Sequence, residues 1–383
     1  MSMLSRREFC SALSFAPFVP SYLNATRCGG VAFDTGKAVT PMREADDSPC
    51  AQASAQRAVC AAANGHAVAL MRADQLTAAT VVQDVRAGAL LAFAASEPER
   101  LDVSARILPL SLTKLLLAAS WWDRNQPETE FDRYPPDSPN PPKKVSIQEM
   151  LVMSVDHAGR QMATALRNAV GTAAVLRDLR RYGFGPRTAA QRDATFWAEL
   201  APAWRARLLP AAAYHSLSER SGAAEWADAL SIGESNFTVT VLRLSRFLQA
   251  VGNGGLSLPL VARVEQPASK NARPLRMRPR RVMRERTAPR LQAALREVAQ
   301  RGTARSIATA LADTGWQIGG KTGTGPKQVG PESDGCFAGL IFDPQGQARF
   351  TVATFVRHGG PGGGNAAKIS AKVAKFLLEV KTR

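Results

Sequence analysis

The sequence predicts an α+β fold, in which an antiparallel sheet is flanked by helices and an all-helical lobe is inserted. Residues 316–325 form a Gly-rich stretch that reads as a strand. Residues 115–122 are apolar nearly all round, as expected of a buried helix. The chain has 383 residues and 45% hydrophobic content, which suits one large packed domain or two small ones.

The predicted buried helix begins with Ser111 and Lys114, whose side chains share one helix face because they are three residues apart. Pro109 marks a turn into this helix. A first-turn serine lies where backbone N–H groups and the helix dipole favour negative charge. Burial would lower the pKa of Lys114 and make it a base that activates the serine. Taken alone, this common spacing favours a plainer interpretation, a serine cap followed by a surface lysine.

The second motif, Lys321-Thr322-Gly323-Thr324, lies at the end of the Gly-rich strand. Glycines allow another chain to approach the backbone closely. Lys321 and Thr324 can offer a charge and a hydroxyl to a carboxylate, and the backbone N–H of Thr324 can face an acyl oxygen. The alternative is a Gly-rich hairpin with an exposed lysine, but the flanking sequence favours the strand.

In this order, the two motifs resemble those of penicillin-binding proteins and class A β-lactamases. The resemblance to the penicillin-binding transpeptidase domain extends from about Thr80 to the C terminus. Further segments match it in the same order, namely residues 80–93, 231–234, 239–244, 253–255, 301–304, 337–341 and 359–364. The resemblance implies the β-lactamase/transpeptidase-like form of the fold, with a sheet from strands near 80–95 and 315–357 and a last helix at 365–380.

The organisation follows from the same resemblance. We expect an export signal-like segment at 1–30, an irregular linker or short accessory segment at 31–79, and a transpeptidase-like domain at 80–383. The helical lobe would occupy about 115–300, with residues 171–185 and 217–251 contributing to it. Larger family members carry a long pedestal before this domain. The chain is too short for one, so a free-standing catalytic domain is expected.

The third catalytic element departs from the family pattern. The family has Ser-x-Asn, whereas the best match here is Ser154-Val155-Asp156. Asn donates and accepts hydrogen bonds, but an ionised Asp only accepts. A carboxylate near Lys114 would raise the pKa of that lysine and oppose its role as a base. Asp156 is therefore held protonated, or points away, or makes catalysis slow or altered; a helix-end cap is the plain alternative.

The implied activity is that of a serine D,D-transpeptidase acting on D-Ala-D-Ala peptidoglycan stem peptides through an acyl-Ser111 intermediate. Lys114 would take the serine proton, and Ser154 would pass a proton to the leaving amine. The N–H groups of Ser111 and Thr324 would form the oxyanion hole, and a β-lactam would be attacked in the same way. The terminal carboxylate would be held by Lys321, Thr322 and Thr324. The substrate-binding residues would be Thr322, Gly323 and Thr324.

Three other activities stay open. A serine β-lactamase is disfavoured because the chain lacks a Glu-x-x-Leu-Asn element, and because Asp156 replaces the Val that class D enzymes favour. A D,D-carboxypeptidase or endopeptidase uses the same residues with water as acceptor. A non-catalytic β-lactam sensor or scaffold is favoured by Asp156 but opposed by the intact Ser111, Lys114 and Lys321.

The net charge is +17 and the pI is near 10.4. Much of the positive charge lies in the stretch 270–281 and continues to Arg284, Arg286 and Arg290. Nucleic acid is a disfavoured partner, because aromatic residues are not interleaved and prolines interrupt the run. We expect a solvated loop that, in an exported protein, could meet anionic envelope polymers or the membrane surface.

Residues 5–9, Ser-Arg-Arg-Glu-Phe, resemble a twin-arginine export signal and precede a moderately apolar stretch at 10–23. Either the segment is cleaved and the protein is periplasmic, or it remains as a weak inner-membrane anchor; a basic N-terminal arm is the alternative. Cys50 and Cys60 could pair in an oxidising compartment. Cys336 is predicted to be a small buried residue. No spacing suits a metal, and no cofactor is expected.

Overall fold

The computed structural model describes residues 31–32, 62–97, 101, 105–185, 214–215, 217–234, 237–258, 263–264, 279–325 and 333–381. Their main sheet is antiparallel, with the order β3-β4-β5-β1-β2. Its strands are β1 (Ala78–Asp84), β2 (Leu90–Ala95), β3 (Gln317–Gly325), β4 (Asp334–Phe342) and β5 (Ala348–Val356). The predicted fold class and the strands near 80–95 and 315–357 are confirmed. The export-like segment, Cys50, Cys60 and most of the basic stretch lie outside the described residues.

Nine helices are found in the described part of the chain. They are α1 (62–73), α2 (Thr113–Asp123), α3 (Ile147–Met153), α4 (Asp156–Val170), α5 (Thr172–Arg181), α6 (Ala223–Ser231), α7 (Val241–Gly252), α8 (Thr287–Arg301) and α9 (Asn365–Lys381). None of the helices among these residues is long and apolar enough to cross a membrane.

Helices cover both faces of the sheet, so β4 is buried along almost its whole length. Successive side chains of a strand point to opposite faces. Accordingly, Phe337 and Ile341 belong to one hydrophobic core, while Ala338 and Leu340 belong to the other. The first core contains α9 and α1, and the second contains α2 and α7. Helix α2 is thereby anchored in the larger core between the sheet and the lobe.

Helix α1 was not expected, because its Ala-rich sequence was read as irregular. Ala63, Ala67 and Met71 recur at four-residue intervals and are fully buried against the sheet. The ring of His66 stacks on Phe376 of α9 with a centroid distance of 4.0 Å. The helix is thus stabilised by tertiary packing more than by its own propensity.

Helix α7 also differs from the expectation, which assigned residues 217–251 to the helical lobe. It packs on the sheet and buries a hydroxyl there: Ser245 Oγ lies 2.6 Å from Thr351 Oγ1 and donates to Gln83 Oε1 at 3.2 Å. Helix α6, from the same stretch, does lie in the lobe, where it packs against α4. The family resemblance indicated helical structure in this stretch but did not tell which layer each helix joins.

Candidate active site

Ser111 lies in a short 3₁₀ turn, Leu110–Leu112, that leads directly into α2. Leu110 has a φ of 55°, which is costly for a residue with a side chain. The turn is held by Gly233: the N–H of Leu110 donates to the Gly233 carbonyl at 3.2 Å. A Cβ on Gly233 would lie 2.2 Å from the Leu110 oxygen, so only glycine permits this approach. Gly233 thus fixes the residue next to Ser111.

Lys114 is placed on the same face of the helix, as predicted. Its side chain is 0% exposed, and Nζ donates to Ser111 Oγ at 2.9 Å and to Asp156 Oδ1 at 2.6 Å. Burial lowers the pKa of Lys114, while the charge of Asp156 and its hydrogen bond oppose that shift. The lysine is therefore positioned to exchange a proton with the serine, under restraint from the carboxylate.

Asp156 points at Lys114 and is the first residue of α4, where the helix dipole favours a carboxylate. Its side chain is 53% exposed, so water reaches the carboxylate although the lysine is buried. One turn later, Arg160 pairs with Asp228 of α6 at 2.7 Å, and its charge lowers the pKa of Lys114. Gly159 faces the site as well: a Cβ there would lie 3.2 Å from Lys114 Cε.

Ser154 ends α3 in the left-handed conformation, with φ 57°. Its hydroxyl accepts a hydrogen bond from Lys321 Nζ at 2.7 Å. Lys321 is fully buried; burial lowers its pKa well below the usual value, the charge of Lys114 adds to this, and Asp156 opposes it. Among the described residues, no hydrogen bond joins Ser154 to Ser111 or Lys114. The site therefore contains two separate lysine–serine pairs.

Strand β3 carries the second motif and is the outermost strand of the sheet as described. A Cβ on Gly323 would lie 3.0 Å from Leu110 Cβ, so this glycine allows the strand to pack against the nucleophile turn. Thr324 is exposed, and its Oγ1 accepts from the Gly362 N–H at 3.0 Å. The turn, the strand and the loop around Gly362 thus meet at one sheet edge.

Thr322 is supported from behind by Thr303, whose Oγ1 lies 2.6 Å from Thr322 Oγ1. Thr303 comes from the stretch 301–304 that precedes the strand motif, and its N–H donates to Val152 of α3 at 3.3 Å. This stretch therefore links the helix that ends at Ser154 to the strand of Lys321. From the sequence, residues 301–304 were recognised only as a segment that matches the family, and no role in the site was predicted for them.

Two further residues, His157 and Cys336, lie outside the cluster of polar groups. His157 hydrogen-bonds Gln161 at 3.1 Å on the outer side of α4. Cys336 is fully buried opposite Gly323, as predicted, and burial raises the pKa of its thiol. No group of three or more His, Cys, Asp or Glu side chains in the described ranges could hold a metal ion.

These features define a class: an α+β domain with a lysine-paired serine beside the Gly-rich edge of an antiparallel sheet. The chain belongs to the family described as the penicillin binding protein transpeptidase domain, whose sequence model matches residues 78–379. This confirms the predicted family. By sequence, no curated protein matches the chain significantly.

Solved structures of similar fold include penicillin-binding proteins. The apo transpeptidase domain of penicillin-binding protein 3 from Burkholderia pseudomallei has 19% identity and a TM-score of 0.62, covering 85% of this chain and 94% of that one. Penicillin-binding protein 3 from Mycobacterium tuberculosis, complexed with aztreonam, has 18% identity and a TM-score of 0.65, covering 85% and 78%. A ceftriaxone acyl-enzyme complex of M. tuberculosis penicillin-binding protein A has 18% identity and a TM-score of 0.59, covering 79% and 74%.

Proposed function

We propose that the protein is a serine D,D-transpeptidase that is acylated at Ser111 by D-Ala-D-Ala stem peptides and by β-lactams. The observation that carries this proposal is the 2.9 Å hydrogen bond between Lys114 Nζ and Ser111 Oγ at the open edge of β3. Membership of the transpeptidase family supports the general activity. Because the substrate is peptidoglycan, we place the protein outside the cytoplasm, in agreement with the twin-arginine-like segment.

In the first step, neutral Lys114 accepts the proton of Ser111 while Oγ attacks the donor carbonyl. Burial favours the neutral amine because it disfavours the ammonium form. The oxyanion is stabilised by the backbone N–H groups of Ser111 and Thr324. Removal of one such donor typically costs about 2.7–4 kcal/mol of transition-state stabilisation.

In the second part of the reaction, the amine of the terminal D-alanine leaves and needs a proton. Ser154 is suited to relay the proton that Lys114 took from Ser111, and its hydroxyl is held in place by a 2.7 Å hydrogen bond from Lys321 Nζ. The terminal carboxylate lies at the hydroxyls of Thr322 and Thr324 and near Lys321 Nζ. The acyl-Ser111 ester is then resolved by an acceptor amine.

Asp156 makes this site slower than one with an amide at the same position. Its 2.6 Å ion pair favours the ammonium form of Lys114, and a protonated lysine cannot accept the serine proton. Of the three options that the sequence left open, we favour slow or altered catalysis, since the carboxylate faces Lys114.

The test is acylation of the purified protein by a fluorescent penicillin, followed by gel and intact mass, with Ser111→Ala alongside. A stable adduct that disappears in the variant supports a penicillin-binding acyltransferase. Release of hydrolysed drug would instead indicate a β-lactamase, and release of D-alanine from a stem pentapeptide without cross-linking would indicate a carboxypeptidase. If well-folded protein forms no adduct, the catalytic proposal is wrong, and the Lys114–Asp156 pair would favour a scaffold or sensor.

A further inference from the structure

Glu234 lies at the mouth of the site, where the nucleophile turn meets the end of β3. It directly follows Gly233, whose backbone is held against Leu110. A Cβ added at Gly325, the last residue of β3, would lie 2.8 Å from Glu234 Oε1 and 3.4 Å from Leu110 Cδ2. The carboxylate therefore occupies the space beside the strand end, next to the residue that precedes Ser111.

The surroundings of Glu234 contain no described positive group that neutralises it. The side chain is half-buried, and it makes no hydrogen bond or ion pair with any residue in the described ranges. Gly325 is paired across the sheet with Asp334, which adds a second carboxylate at this end of the strand. Asp334 is already engaged, because it accepts from the His358 N–H at 2.9 Å. The strand end is thus locally negative in a chain of net charge +17.

The direction of the substrate along β3 follows from the proposed function, on which this inference rests. The terminal carboxylate is placed at Lys321, Thr322 and Thr324, and the scissile carbonyl at the Thr324 N–H. An extended donor that follows the strand edge continues past Thr324 to Gly325. The part of the donor on the acyl side of the scissile bond therefore lies beside Glu234.

We propose that Glu234 is a specificity-determining residue that favours acyl donors carrying an ammonium group on the acyl side of the scissile bond. The carboxylate would pair with that ammonium, and it would disfavour donors with a negative group at the same place. Both effects change the relative rates of different donors and leave the chemistry at Ser111 unchanged.

Ampicillin and benzylpenicillin form a matched pair of probes, because the first carries one extra amine on its acyl side chain. We would measure second-order acylation rates for both in the wild type and in Glu234→Gln, at a pH where the amine is protonated. The ampicillin-to-benzylpenicillin ratio should fall by about twofold to fivefold in the variant, as expected for one partly screened ion pair. The benzylpenicillin rate should change little, and added salt should reduce the wild-type preference.

Glu219→Gln is the matched control, because it removes one exposed carboxylate from a described segment outside the site. It should leave the ratio unchanged. Glu234→Lys should reverse the preference, which keeps the test decisive if the Gln variant folds poorly. An equal ratio in the wild type and Glu234→Gln would overturn the assignment.

The assignment can also be separated from the proposed acylation. If the wild type forms no adduct with either drug, the proposed function fails, and non-covalent binding is then measured by calorimetry in Ser111→Ala with and without Glu234→Gln. A preference for ampicillin that depends on Glu234 would still support the specificity role. Equal affinities, or no binding of either drug, would overturn it.

Discussion

At the residue scale, Lys114 lies between two opposite charges on α4. Asp156 accepts its hydrogen bond at 2.6 Å, and Arg160, one turn further along, acts on it through space. Asp156 raises the pKa of Lys114 and Arg160 lowers it, and burial, which lowers it, has a larger effect than either charge. The fraction of neutral lysine at a given pH is therefore set by all three, which makes the pH profile of acylation a direct test of the site.

We expect Asp156→Asn to increase acylation at neutral pH. Loss of the carboxylate removes an interaction that raises the pKa of Lys114. As the pH is lowered, Lys114 of the variant should therefore become protonated, and the acylation rate should fall, at a lower pH than in the wild type. Because the carboxylate is about half exposed, an interaction of about 1 kcal/mol, or roughly a fivefold rate increase, is reasonable. The measurement is the rate of fluorescent-penicillin labelling from pH 5 to 9. A lower rate at every pH would show that the carboxylate assists the reaction.

Arg160→Gln should have the opposite effect. The arginine charge lowers the pKa of Lys114, so its removal should move the acid side of the same profile to higher pH. The shift should be smaller than that of Asp156→Asn, since Arg160 is 43% exposed and already paired with Asp228. Shifts of both variants in the same direction would contradict this account.

At the scale of elements, the C-terminal end of α2 is held by a buried polar network around Asp123. The Asp123 side chain is 1% exposed and accepts from Arg181 Nη2 at 2.6 Å and Tyr182 Oη at 2.8 Å. It also accepts from Thr287 Oγ1 at 2.6 Å and the Arg284 N–H at 2.9 Å. An aspartate is unfavourable at a helix C terminus, so these donors compensate for the helix dipole. They tie the active-site helix to α5 and α8.

Asp123→Ala should lower the free energy of unfolding by about 3–5 kcal/mol, because it leaves buried donors and a guanidinium without their acceptor. Urea unfolding followed by circular dichroism would measure this. Glu285→Gln is the control: it breaks the exposed ion pair with Arg281 and should cost less than about 1 kcal/mol. Equal costs for the two variants would show that the network does not stabilise the helix.

At the scale of the whole molecule, the boundary of the domain depends on α1. The sequence places a linker or accessory segment before residue 80, and the family match begins at residue 78. Yet α1 covers one face of the sheet through Ala67 and Met71, which are both 0% exposed. We therefore propose that the stable unit includes residues 62–77.

A chain that begins at residue 78 should melt at a lower temperature than one that begins at residue 62. Met71→Ala in the longer chain should cost about 2–5 kcal/mol, the usual range for a large buried side chain cut back to Ala. Differential scanning calorimetry of the shorter chain, the longer chain and the Met71→Ala variant would measure their melting temperatures. Identical melting temperatures would show that α1 is an accessory segment.

The stability of the whole fold should also depend on the burial of Lys321, which disfavours its ammonium form. The pKa of Lys321 lies well below the usual 10.5 in the folded protein. At a pH between the lowered value and 10.5, the unfolded chain therefore binds a proton that the native state has lost. Stability should therefore rise with pH from the lowered folded value up to about 10.5. Lys321→Met should be more stable than the wild type at neutral pH, and its stability should lack this rise with pH. The variant should also lose acylation. A destabilised variant would show that the lysine's hydrogen bonds outweigh its burial cost.

The sequence by itself determined the family and the sheet-and-helix class, and it predicted Ser111, Lys114, Lys321 and Thr324 as site residues. These features are local: a three-residue helix spacing, an apolar run and a Gly-rich strand can each be read from neighbouring residues. The sequence also identified Ser154-Val155-Asp156 as a departure, but three orientations of the carboxylate stayed open.

Only the tertiary structure decided where Asp156 points, because its partner Lys114 is 42 residues away in the chain. The same holds for the pairing of Lys321 with Ser154 across 167 residues. The close approach at Gly233 and the packing of α1 were equally hidden, since both depend on elements that are distant in sequence. The pattern of side chains along an element predicts which of its faces is buried. The surface against which that face packs depends on elements that are distant in sequence, so it is known only from the assembled fold.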